Sequence, residues 1–147
     1  MESKVVIMSK YTIFATRLWI QTTTQMMKSN YITVHNGQID VCLDVVFFME
    51  NNVWIAYAPA LDLSGYDYTE DGAKRSFQIV LEEYLRYSVQ NHTLENDLAQ
   101  HGWNKKKEEQ FSSLDFLGLL SQNERLRGVV GNDYSKHSEN FSYRVCS

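Results

Sequence analysis

The chain has 147 residues, enough for one compact domain with an extension or one small domain plus a second small element. With 44% hydrophobic and 22% charged residues it can build one real core, and a formal net charge of -4 argues against a surface given over to phosphate backbones. That balance suits a basic protein partner, towards which an acidic surface steers association.

The two cysteines, Cys42 and Cys146, lie far apart and show neither CxxC nor zinc-type spacing, so both are expected free, as suits a reducing cytoplasm. Near the N-terminus the apolar run from Tyr11 to Ile20 is interrupted by Arg17 and falls short of the roughly 20 residues of a membrane span. It leads into no small-residue cleavage site, so a cytoplasmic location without membrane contact is expected. Residues 1–30 read as a weakly ordered extension, with Met26 or Met27 as alternative initiators.

From Ile39 the pattern sharpens. Ile39, Val41, Leu43, Val45, Phe47 and Met49 are apolar at every second position, which predicts a strand with one buried face and places Asp40, Asp44 and Glu50 on the solvent side. Asn51-Asn52 tolerates the positive φ of a tight turn, and Val53 to Ala58 reads as the returning strand, ended by Pro59. A third short strand is expected around Leu63 to Tyr68. Thr69 then caps a helix in which Ala73, Phe77, Val80, Leu81, Tyr84 and Leu85 form an apolar stripe, with Asn91 as its stop. Thr93 is expected to cap a short helix over Leu94 to Gln100. Asn104 to Gln110 reads as a charged linker or a solvated helix end, Ser113 to Val130 as one or two short helices, and Phe141, Tyr143 and Val145 as a terminal strand able to cover an exposed edge. The fold expected is α+β: a three-stranded antiparallel sheet with one long helix packed on it, plus short C-terminal helices and that terminal strand. The domain division expected is 1–30, 31–103 and 104–147, the last a helical tail.

Little in the sequence points to catalysis. Asp40, Asp44, Asp62, Asp67, Glu70 and Asp71 are the carboxylates a metal-dependent nuclease could draw on, but none has a ligand spacing, and the four histidines form no HxxH or HExxH pattern. Neither a glycine-rich phosphate loop nor a GxSxG elbow is present, so no metal, cofactor or catalytic residue is expected. The aromatic residues say more. Trp54, Tyr57, Tyr66 and Tyr68 cluster on the second and third strands, with no Lys or Arg between Asn51 and Gly72. Base-stacking sheets want flanking cations, whereas Tyr and Trp also anchor protein interfaces.

The run Phe48 to Ala73 resembles the HicB antitoxin family. The elements that carry the resemblance are Glu50 before a tight turn, Trp54 in a strand leading to Pro59, then Leu61, Gly65, Tyr66, Thr69 and Ala73 opening a helix. The likeness extends over Ile39 to Asn91, about a third of the chain. It implies a partial ribonuclease-H-like fold without the nuclease's carboxylates, and an antitoxin that neutralises a small basic mRNA-cleaving toxin by covering its RNA-binding face. It also implies a homo-oligomer, and in many members operator DNA binding. Here residues 104–147 offer only Arg125 and Arg127 near their apolar positions. The partner-binding residues expected are Trp54, Asp62, Tyr66, Asp67 and Tyr68. Two alternatives are an orphan HicB-like regulator binding DNA, and a nuclease using Asp44 or Asp62.

Overall fold

In the computed structural model, which describes residues 30–145, the alternating run from Ile39 forms the longest strand of a seven-stranded antiparallel sheet. The strands are β1 (Tyr31–His35), β2 (Gln38–Glu50), β3 (Val53–Ala58), β4 (Leu63–Asp67), β5 (Asn104–Lys107), β6 (Gln110–Ser112) and β7 (Ser135–Arg144). The helices are α1 (Glu70–Gln90), α2 (Leu94–Gln100), α3 (Phe116–Gln122) and α4 (Glu124–Val130). The three-stranded sheet with one long helix is therefore corrected to seven strands and four helices among the described residues. The segment expected as a helical tail supplies β5, β6 and β7 as well as α3 and α4. The expected N-terminal extension lies outside the described residues except for Asn30.

Hairpin turns set the local geometry. Asn36 and Gly37 both take positive φ (49° and 77°) between β1 and β2, and Asn51 and Asn52 do the same (52° and 63°) between β2 and β3. Paths through the sheet run in the order β4-β3-β2-β1-β6-β5, with β7 also on β2. Gln38 to Cys42 of β2 pairs with both β1 and β7, and Val46 and Phe47 pair with both β3 and β7. One strand edge holds one neighbour at a time, so β1 and β3 lie end to end on the edge opposite β7.

That shared edge leaves a gap at Leu43 to Val45, and Asn30 fills it. Asn30 is fully buried at φ 63°, and its Oδ1 accepts the backbone N–H of Asp44 at 2.9 Å. Its Nδ2 donates to the Leu114 carbonyl at 2.9 Å and to Asp44 Oδ2 at 3.3 Å. Asp44 also accepts from the Ser138 hydroxyl at 3.1 Å. The solvent-side reading of Asp44 is thus corrected. It is buried because β2 is covered on both faces, from Val41 to Phe48 without a break.

One cover is α1. Thr69 accepts the Gly72 N–H at 3.0 Å as its N-cap, Glu70 and Asp71 occupy the favourable first turn, and Ala73, Phe77, Leu81 and Leu85 are buried. Phe77 meets Phe141 of β7 with ring centroids 5.9 Å apart. The other cover is α3 and α4, which add Leu119, Leu126 and Val129 to the core. Thr93 precedes α2 without making a side-chain cap bond, and Leu94 and Leu98 hold that helix to the core.

Gly65 marks the closest approach of sheet and helix. A Cβ there would lie 2.1 Å from the Phe77 backbone nitrogen. Gly65→Ala is expected to cost about 3 kcal/mol by forcing α1 off the sheet, measured as a fall in the urea midpoint.

Candidate functional site

The sequence reading groups Trp54, Asp62, Tyr66, Asp67 and Tyr68 on one surface, and the structure gives them different surroundings. Tyr66 on β4 is 69% exposed and Tyr68, in the turn before α1, is 82% exposed. Their backbones are engaged, the Tyr66 N–H donating to Ser76 Oγ at 3.3 Å and the Tyr68 N–H to Asp67. The rings stand free of the core, with Glu70 and Asp71 following at the exposed helix start.

Asp67 points inward instead. Its Oδ1 accepts the Tyr68 N–H at 2.8 Å, and its carboxyl fills the space beside Gly72, where a Cβ would lie 1.6 Å from Oδ2. It therefore fixes the turn that presents Tyr68. Trp54 lies across from Met49 and Asp67 and is partly buried against the core.

Asp62 sits at the far end of β4, roughly 16 Å from Asp67 by strand length. It takes a positive φ of 53°, and its Oδ1 accepts from the Tyr57 hydroxyl at 2.9 Å. That hydroxyl accepts from Asn123 Nδ2 at 2.9 Å, while Asn123 Oδ1 caps α4 by accepting the Leu126 N–H at 3.0 Å. The Arg125 guanidinium lies over the Tyr57 ring at 4.4 Å and 3.9 Å from Asp62. Burial pushes the Tyr57 hydroxyl above its usual range; the Asn123 bond works against this and Asp62 adds to it. Asp62 thus ties the β3–β4 turn to α3 and α4.

An open cleft of about 1000 Å³, which neither Tyr66 nor Tyr68 lines, lies between the end of β2, β3, the start of α1 and α4. Trp54, Glu50, Glu70, Arg125 and Tyr134 help to line it, together with Met49, which is 52% exposed. Carboxylates outnumber cations on its rim, with Glu50, Glu70 and Asp133 against Arg125. Sequence periodicity gave Met49 to the core; it is exposed because β7 stops at Phe47, two residues short of it. Nothing in the sequence marked Tyr134.

Among the described residues no group of three or more His, Cys, Asp or Glu side chains is placed to hold a metal ion. Cys42 is buried and free, its thiol pushed up by burial and by Asp44; Cys146 lies outside the described residues. No helix of the described residues is long and apolar enough to cross a membrane. Comparisons with protein-family models, with curated proteins and with solved structures return no match to this chain. The likeness to HicB proteins thus rests on the residues quoted for it.

The surroundings separate anchoring groups from free ones. Tyr57→Phe, which strips the hydroxyl from Asp62 and Asn123, is expected to cost about 1–2 kcal/mol in urea unfolding. Tyr68→Ala, at an exposed position, is expected to change stability by less than about 0.5 kcal/mol in the same measurement.

Proposed function

We propose that this chain is an antitoxin-like binding protein that neutralises a small basic mRNA-cleaving toxin by covering its RNA-binding face. It acts by occupation and not by catalysis. The observation that carries this reading is the pair Tyr66 and Tyr68, 69% and 82% exposed, in a stretch from 51 to 72 that contains no Lys or Arg. Large aromatic rings held clear of the core cost solvation unless something covers them, and Tyr is a favoured interface anchor. Glu70 and Asp71 beside them, and the acidic rim of the cleft, add the sign of charge that steers a basic partner into place. Asp67 and Asp62 enter this reading as the groups that hold the turns, and Trp54 as a wall of the cleft. The reading carries a cytoplasmic location with it, since mRNA is the partner's target.

The test is capture of the tagged protein from its native cells at low salt, with mass spectrometry of what co-purifies. A stoichiometric small basic protein whose RNA cleavage stops when the wild-type chain is added is the expected result. Tyr66→Ala with Tyr68→Ala is expected to weaken that complex by more than about tenfold, with the fold retained. Recovery of the chain alone in repeated trials, or a complex indifferent to both tyrosines, contradicts the reading.

A further inference from the structure

Among the described residues the longest strand edge without a partner strand is the outer edge of β7. Asp44 directs its N–H to Asn30, on the β1/β3 edge, so the even-numbered residues of β2 send their backbone groups that way and the odd-numbered ones towards β7. Their partners on β7, from Phe47↔Ser135 to Ile39↔Tyr143, are odd-numbered as well. Lys136, Ser138, Asn140, Ser142 and Arg144 therefore aim their N–H and C=O groups outward.

Among the described residues β7 pairs with β2 alone, and its ten residues contain no proline, no glycine and no register shift. An edge of that length, roughly 33 Å, is a template for another strand. The edge strand β5 contrasts with it, being short, lysine-rich and broken by a register shift between Lys105 and Lys107.

We propose that β7 is the seam of a twofold dimer, in which the β7 strands of two copies pair antiparallel and join their sheets. A twofold pairing that keeps the faces aligned sets residues of equal parity opposite one another. Centring it on Glu139 sets two carboxylates face to face, and centring it on Asn140 sets Lys136 against Arg144 of the second copy; both are unfavourable. Centring it on Phe141 avoids every like-charged pair. Glu139 then lies opposite Tyr143, Asn140 opposite Ser142, and Ser138 opposite Arg144 of the second copy.

The same register uses the apolar material on this edge. Phe141 and Tyr143 stack with centroids 6.3 Å apart, so the twofold brings two such pairs together. A groove of about 490 Å³ between α1 and residues 140–143 lies alongside, with Ile79 60% exposed on its wall. Centring on Ser138 instead would take only Asn140 and Phe141 of that groove into the seam and leave Ser142 and Tyr143 beyond it. The joined sheet would run β4-β3-β2-β7 and then back through the second copy, leaving Tyr66 and Tyr68 of both copies at its two far ends. This inference concerns self-association and stands independently of the toxin reading.

The test is sedimentation of the full chain together with amide exchange. The expected result is a species of twice 17.1 kDa, with the amides of Ser138, Asn140 and Ser142 protected. Asn140→Pro removes an outward N–H and no bond to β2, so it should keep native circular dichroism. It should weaken the dimer by roughly 100-fold, since each substitution acts twice across the twofold. A monomer at about 100 µM with fast exchange at those amides overturns the proposal. So does a monomer in which they are protected, the edge then being covered in cis, and so does a dimer that Asn140→Pro leaves unchanged. Should that variant fail to fold, mass and exchange of the wild-type chain decide.

Discussion

Two strands share one edge of β2, and the side chain of Asn30 closes the space between them. Its Oδ1 takes the Asp44 N–H that no strand reaches, while its Nδ2 and carbonyl bind Leu114 O and Ser113 N–H at 2.9 Å. A buried backbone donor left without an acceptor would cost about 1–3 kcal/mol, so the site demands a short side chain with an acceptor and a donor. Asn also tolerates the positive φ required there. Asn30 therefore fixes where β1 begins against β2 and how the chain leaves β6 for α3.

The remaining architecture follows from that fork. With β1 and β3 on one edge and β7 on the other, β2 is enclosed, and its faces need separate covers. α1 seats on one face through Gly65 and Phe77, and α3 with α4 seats on the other through Tyr57, Asn123 and Lys136, whose ammonium lies 4.8 Å from the Phe116 ring. These two covers leave the β2–β3 turn, the end of β4 and the start of α1 projecting past the end of β7. The exposed tyrosines and the acidic cleft occupy that projection. The site is thus a consequence of β7 stopping at Phe47 while β2 runs on to Glu50.

The elements legible in the sequence are those whose partners are close in the chain. Alternation from Ile39 to Met49, the Asn51-Asn52 turn, and Thr69 ahead of an apolar stripe are local signals, and each marks a real strand, turn or cap. β7 was visible only at Phe141 and Tyr143, because its remaining residues are polar and its pairing with β2 spans about a hundred residues of chain. β5 read as a linker because an exposed edge strand rich in lysine has no hydrophobic period. Asn30 looked like part of an extension, and Asp44 like a solvated carboxylate. Both are ordinary polar residues until the fork buries them. In the candidate site, Tyr66 and Tyr68 were legible as aromatic residues in a cation-free stretch. The bonds of Asp62 to Tyr57 and of Asp67 to the α1 turn depend on folded geometry, and so does the exposure of Met49 and Tyr134.

Amide hydrogen exchange at Asp44 tests this account most directly. That N–H belongs to no strand ladder and is held by one side chain, so protection there reports the fork itself. If Asn30 closes the gap, the Asp44 amide exchanges as slowly as the ladder amides of β2, with an opening free energy close to that of global unfolding. Exchange at the rate of an exposed loop amide, while neighbouring β2 amides stay protected, would contradict it.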